Sequence, residues 1–142
     1  MKHTPTDDLN ERYAALDGKV AITRQDESAL RPDVLLAFDY EHPDREIEVL
    51  IESQEFTALC PWTGLPDFGM LSVRYTPDRL CLELKSLKYY LLSFRSVGIV
   101  QEHAAARILT DLARVVSPRR MAVTLDYRVR GGLHTSVSAQ YP

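Results

Sequence analysis

The chain has 142 residues, 45% of them apolar and 26% charged, with a net charge of −3. That is the size and make-up of one globular domain. The acidic balance excludes a surface built to wrap nucleic acid, and no apolar run approaches the ~20 residues that span a bilayer.

Residues 1–30 mix charges with weak periodicity and read as a partly ordered N-terminal arm, which leaves 31–142 as a single domain. Residues 45–52, REIEVLIE, alternate, with Ile47, Val49 and Ile51 on one face; this is the pattern of a half-buried strand. A turn segment follows, CPWTGLPD at 60–67. Residues 69–76 alternate again through Leu71, Val73 and Tyr75, and a short turn leads into an extended piece, RLCLELK. Neighbouring strands joined by short connections point to an antiparallel sheet.

The period then changes. Leu87, Tyr90, Leu91, Phe94 and Val97 fall at helical spacing over 86–97, with Ser86 as a candidate N-cap and Gly98 as a stop. Ala105, Ile108, Leu109, Leu112, Val115 and Val116 do the same over 101–116, and Ser117-Pro118 ends that helix. Residues 120–129 alternate as a strand through Met121, Val123, Leu125, Tyr127 and Val129. Gly131-Gly132 breaks it, and a short tail follows. The order predicts an α+β fold: an antiparallel β-sheet with two helices packed on one face.

Four places carry possible chemistry. Cys60 is either a buried thiol or a nucleophile displayed on a proline-stiffened turn, with Asp67 as a turn residue or a proton partner. Lys85, Ser86 and Lys88 at a helix start are either a solvated capped turn or a seat for an anion on free backbone N–H groups. Glu102 is either a dipole-favoured carboxylate or an acceptor for two ring N–H groups, beside Gln101 and His103. Arg130-Gly131-Gly132 is either a strand end or a backbone approach to phosphate. The run Arg119-Arg120 reads as a solvated strand end. Two cysteines, Cys60 and Cys81, make no disulfide framework, and His3, His42, His103 and His134 have no ligand spacing, so no metal is expected. The polar N-terminus and reduced thiols place the expected protein in the cytoplasm, with neither membrane nor nucleic acid as partner.

In order, CPWTGLPDFG, ELKSLKYYLLSF, GIVQEHAAARIL and RVRGG resemble the NADPH-dependent 7-cyano-7-deazaguanine reductases of the queuosine tRNA-modification pathway. The resemblance runs over roughly residues 45–135. It implies the tunnelling fold (T-fold) of the short single-domain type, in a homo-oligomeric barrel with sites at subunit interfaces. It implies that Cys60 attacks the nitrile carbon to give a covalent thioimide and that Asp67 protonates the nitrile nitrogen. Leu82, Glu83, Leu84, Gln101 and Glu102 match positions that contact the deazaguanine ring. Lys85, Ser86, Lys88, Arg130 and Gly131 match the region that holds the NADPH phosphates. Many members carry His-Glu where this chain has Gln101-Glu102, with the histidine one place later as His103. Two other readings stand beside this one. An amidine-forming relative would act on the same nitrile without NADPH, and the ELKSLKYY string argues against it. A non-catalytic binder of a purine-like ligand would have no need of the Cys60–Asp67 pair.

Overall fold

The computed structural model describes residues 6–16 and 23–142. In chain order the elements are helix α1 (Thr6–Leu16), two 3-10 turns (Glu27–Ala29 and Pro32–Val34), β1 (Ala37–Asp39), β2 (Val49–Leu59), β3 (Pro66–Thr76), β4 (Leu80–Leu82), α2 (Leu84–Leu92), α3 (Gln101–Val116), β5 (Arg120–Tyr127) and β6 (Ser136–Tyr141). Four strands make one antiparallel sheet in the order β2-β3-β5-β6, and β1 pairs antiparallel with β4 in a separate two-stranded piece. The expected arm over 1–30 falls partly on residues 1–5 and 17–22, which lie outside the described residues. Within its remainder Tyr13 and Leu16 of α1 are exposed, whereas Leu30 is buried in the core.

The sheet is built by the alternation that the sequence carries. Leu71, Val73 and Tyr75 of β3 and Met121, Val123, Leu125 and Tyr127 of β5 are all buried on one face. The register sets Leu71 opposite Leu125, Val73 opposite Val123 and Tyr75 opposite Met121, so the buried side chains stack across the strands. Both helices bring their apolar faces to this same core, α2 through Leu87 and Tyr90 and α3 through Ala105, Ile108, Leu112 and Val116. Phe56, Phe94 and Tyr90 meet edge-to-face, each neighbouring pair with centroids 5.4 Å apart, an arrangement the ring quadrupoles favour. The α+β class with helices against one sheet face is as the sequence predicts.

Five local expectations are corrected. The first strand starts later and runs further than residues 45–52. Ser53 pairs with Leu71 and Phe56 with Gly69, so three steps on β2 face two on β3: a β-bulge. The extra residue moves the buried face from the odd positions Val49 and Ile51 to the even positions Phe56 and Ala58, and a strict period of two breaks there. The RLCLELK piece contributes only Leu80–Leu82, paired with β1 rather than with the main sheet. The tail after Gly132 is β6, which covers β5 with Val137 opposite Leu125 and Ala139 opposite Val123.

The last two corrections concern the helices. Helix α2 begins at Leu84, and its N-cap is Glu83, whose carboxylate accepts from the N–H groups of Lys85 (2.9 Å) and Ser86 (2.7 Å). Ser86 is inside the helix, with its hydroxyl buried. The same helix ends at Leu92 with Ser93 as C-cap, well before Gly98. By contrast, α3 ends where Ser117-Pro118 predicts, with Ser117 in the left-handed region at φ 44°.

One polar cluster ties the helices together. Asp111 of α3, only 3% exposed, accepts from the Tyr90 hydroxyl of α2 (2.7 Å) and from Arg107 Nε (2.8 Å). Burial, with Asp111 beside it, drives the Tyr90 phenol well above the ordinary tyrosine range, so it stays a donor. Removing the acceptor leaves a buried hydroxyl unpaired and leaves the half-buried Arg107 only its longer ion pair with Glu27, at 3.5 Å. Asp111→Ala is expected to cost ~2–4 kcal/mol, and Tyr90→Phe ~1 kcal/mol; urea unfolding of the two variants checks both the size and the order.

Candidate active site

Cys60 is the first residue after β2, and the chain turns back on itself there. Its N–H donates to the Leu65 carbonyl and its own carbonyl accepts from Gly64 N–H, both at 2.9 Å. Gly64 closes this turn at φ 71°, a conformation that favours glycine. The Arg24 guanidinium donates to the Pro61 carbonyl and holds the turn from outside. Immediately before it, Leu59 N–H donates to Val97 O (2.9 Å) and Leu59 O accepts from Ile99 N–H (3.0 Å). The end of β2 is therefore fastened to the α2–α3 connection, and α3 starts two residues after Ile99.

That fastening gathers one cleft, of ≈ 370 Å³, around Cys60, Asp67, Gln101, Glu102, Arg128 and Arg130, with Trp62 also on its wall. Asp67 reaches it from the second position of β3, with its carbonyl accepting from Thr57 Oγ1 at 2.9 Å. Gln101 and Glu102 open α3, whose N-cap, Val100, offers no side-chain oxygen. The positive end of that helix therefore lies along the same cleft. Arg130 follows β5 in a two-residue hairpin turn, where Arg130 and Leu133 exchange both backbone hydrogen bonds at 2.9 Å. Gly131 and Gly132 take φ 56° and 78°, as a type I′ turn requires.

Cys60 and Asp67 are buried, at 7% and 5% exposure. The Cys60 thiol is lowered to about 7. The Thr63 hydroxyl is the largest cause, the backbone N–H groups of Thr63 and Trp62 and the Arg130 side chain assist, and burial opposes them. Arg130 also forms an ion pair with Asp67. One guanidinium thus serves both the thiol and the carboxylate, and these contacts raise its own affinity for its proton. Tyr127, buried beneath the site, is raised by that burial and by the charges of Asp67 and Glu102. The set can do nucleophilic chemistry at neutral pH: a thiol half-ionised near pH 7, a buried carboxylate one guanidinium away, and a second carboxylate for a ligand N–H edge.

The structure brings together Cys60, Asp67, Gln101, Glu102 and Arg130 of the expected site. It does not bring Leu82, Glu83, Leu84, Lys85, Ser86, Lys88 or Gly131 to this cleft. Leu82 is buried in the core. The Glu83 carboxylate caps α2, so the N–H groups expected to be free for an anion are taken. The Ser86 hydroxyl donates to Glu83 O (2.8 Å) and accepts from Leu36 N–H (3.0 Å), so its proton is already engaged within the chain. Leu84 and Lys88 line a different groove of ≈ 520 Å³ between α2 and the edge strand β2, with Ile51, Glu55 and Arg95. His103 is exposed and lines neither. Sequence reading missed Thr63, although it stands inside the quoted turn, and Arg128. It also placed Arg130 with phosphates rather than with the thiol. Those contacts depend on how the 60–67 turn and the 130–133 hairpin face each other, which no spacing within either encodes.

Comparison with known proteins gives a consistent picture. The family model described as QueF-like protein matches residues 66–142. A protein of Pelodictyon phaeoclathratiforme named NADPH-dependent 7-cyano-7-deazaguanine reductase is 48% identical over 112 residues, which cover 79% of this chain and 97% of that one. A protein of the same name from Caldicellulosiruptor bescii is 50% identical over 109 residues, covering 77% and 83%. The crystal structure of the archaeosine synthase QueF-Like in its apo form superposes with a TM-score of 0.59 at 23% identity, covering 67% of this chain and 91% of that one. At that identity it shows a shared fold.

The lowered thiol has a direct signature. Only the thiolate reacts, so alkylation of Cys60 by iodoacetamide is expected to rise with pH through a midpoint at about 7 and then level off. Thr63→Ala removes the largest stabiliser of the thiolate and is expected to move that midpoint upward, slowing labelling at neutral pH ~threefold or more. Peptide mass mapping separates Cys60 from the buried Cys81.

Proposed function

The chain belongs to the QueF-like protein family, and from that membership we propose that it is an NADPH-dependent nitrile reductase converting 7-cyano-7-deazaguanine to 7-aminomethyl-7-deazaguanine. The observation that carries this reading is the single cleft in which a thiol lowered to about 7 and a buried carboxylate share Arg130, with Glu102 lining the same cleft.

Glu102 and Gln101 hold the ring, Glu102 by accepting from adjacent ring N–H groups. The Cys60 thiolate attacks the nitrile carbon; a carbon–sulfur bond forms and one π bond of the nitrile opens onto nitrogen. Asp67 takes the proton released by the thiol and passes it to that nitrogen, which gives the neutral thioimide with atoms and charge balanced. Thr63, the N–H groups of the turn and Arg130 keep the sulfur anionic until it is used. Two molecules of NADPH, bound in turn, would supply the two hydrides, four electrons in all, that take the carbon from nitrile to amine, with two protons consumed and the Cys60 thiol returned. Lys85 and Lys88 suit its phosphates, because both are exposed at the start of α2 and neither is ion-paired among the described residues.

The cleft and these lysines are apart on one chain. The reading that accommodates both is a homo-oligomer of tunnelling-fold subunits, closed into a barrel, with each site completed by a neighbour. Two features support it. Among the described residues the main sheet has helices on one face only, and its edge strands are β2 and β6, with β2 bonded on its outer side only at Leu59; open edges are a state that stable proteins cover or close. The groove beside β2 carries Leu84 and Lys88 at that open edge. Light scattering at working concentration is expected to give a multimer; a monomer with full activity would remove the shared site.

The activity itself is checked by mixing protein, 7-cyano-7-deazaguanine and NADPH, with intact-mass analysis in parallel when NADPH is left out. The expected result is two NADPH oxidised per nitrile and a mass adduct on Cys60, lost in Cys60→Ser. Glu102→Ala is expected to weaken nitrile binding by ~1–3 kcal/mol, the cost of unpaired buried donors. An adduct without any NADPH oxidation would instead favour the amidine-forming reading.

A further inference from the structure

Residues 24–31 run against the Cys60 turn and the α2–α3 connection, and they are tied down along their length. Gln25 N–H donates to Ser96 O (2.7 Å), and Gln25 O accepts from Gly98 N–H (2.9 Å). Asp26 caps the first 3-10 turn by accepting from Ser28 N–H at 2.9 Å. Leu30 is buried in the core, and Arg31 N–H donates to Ser93 Oγ at 3.2 Å. Arg24 stands next to this ladder, with its guanidinium on the Pro61 carbonyl. Its stem lies against two glycines. A methyl group at Gly64 would meet Arg24 Cδ at 3.5 Å, and one at Gly98 would meet it at 3.9 Å. An exposed side chain is therefore led to one acceptor, and that acceptor belongs to the Cys60 turn.

The Pro61 carbonyl is one pole of a peptide group whose other pole is the Trp62 N–H. Cys60 O accepts from Gly64 N–H at 2.9 Å, so residues 61–63 form one closed turn with Cys60 in the capping position. In such a turn the carbonyls point away from the capping residue, and the N–H groups of the second and third residues point at its side chain. Those residues are Trp62 and Thr63, and both N–H groups stabilise the Cys60 thiolate. A cation on the carbonyl pole fixes the direction of the N–H pole and makes it a stronger donor. We infer that Arg24 is a positioning residue for Cys60: through the Pro61–Trp62 peptide it aims and polarises the Trp62 N–H toward the thiolate. Arg24 does not line the cleft, so it acts on the sulfur from outside. This deepens the reading of Cys60 as the nucleophile of the reductase proposed above, and it holds whatever the thiolate attacks.

The test reads the thiol alone, without substrate or turnover. Iodoacetamide labelling of Cys60 is followed against pH by peptide mass mapping, in the wild type and in Arg24→Ala. The variant is expected to raise the labelling midpoint by about 0.5 pH unit, which slows labelling below that midpoint about threefold. Arg24→Lys keeps a charged donor and is expected to recover part of the shift. The same series in about 1 M salt, where the Debye length is ~3 Å, separates a direct contact from a distant charge. The shift is expected to persist there. An Arg24→Ala midpoint within about 0.2 unit of the wild type, a shift that salt abolishes, or a lysine that recovers nothing overturns the inference and leaves the reductase reading intact. Wild-type Cys60 with a midpoint in the ordinary thiol range overturns both, because each rests on an acidified thiol.

Discussion

Two backbone hydrogen bonds, one on either side of Leu59, decide where everything else can be. They join the last residue of β2 to Val97 and Ile99 in the connection between the helices. The same connection also bonds Gln25, through Ser96 O (2.7 Å) and Gly98 N–H (2.9 Å). Three distant stretches of chain thus meet in one short ladder. Its consequence is positional: Cys60 is the next residue after the anchored strand end, and Gln101 follows the anchored connection by two. Backbone bonds of this kind do not depend on side-chain identity, so the turn and the helix start keep their relation whatever decorates them.

Within that frame the electrostatics turn on one cation. Arg130 comes from the third structural contributor, the hairpin after β5, and it touches both the thiol and Asp67. Its arrival depends on the Gly131-Gly132 turn, where both residues sit at positive φ. The glycines thus have a local reason to be there that is independent of any ligand. Cys60, Asp67 and Glu102 come from the end of β2, from β3 and from α3. The sheet and the helix against it act as a jig for three side chains that are far apart in sequence.

Much of the fold was legible because it rests on periodicity. Leu71, Val73 and Tyr75, and Met121 through Tyr127, alternate cleanly, and α3 has an unbroken apolar stripe that ends at Ser117-Pro118. The misreadings have specific causes. The bulge between Ser53 and Phe56 shifts the phase of β2 in mid-strand, so a period-two reading ends too soon. In β6 the inward positions are Val137 and Ala139, too few and too small to stand out between serines. Glu83 caps α2 in place of Ser86 because a carboxylate one residue before the helix can reach two N–H groups, whereas the serine is already needed inside. For the site, the motif residues Cys60, Asp67, Gln101 and Glu102 converge as a set. The use of Thr63 and Arg130 toward the thiol was hidden, because it is a relation between two loops.

The acidity of Cys60 also carries a liability. A thiol near half-ionised at neutral pH, approached by polar donors in an open cleft, is the form that peroxides attack first. The first product, a sulfenic acid, is usually rescued by a second thiol that closes a disulfide. No other cysteine lines this cleft, and Cys81, the only other one in the chain, is buried elsewhere beside Tyr75. Oxidation at Cys60 therefore has no rescuer within the chain. Its fate passes to small thiols in the surrounding solution, and without them it proceeds to the irreversible sulfinic and sulfonic acids.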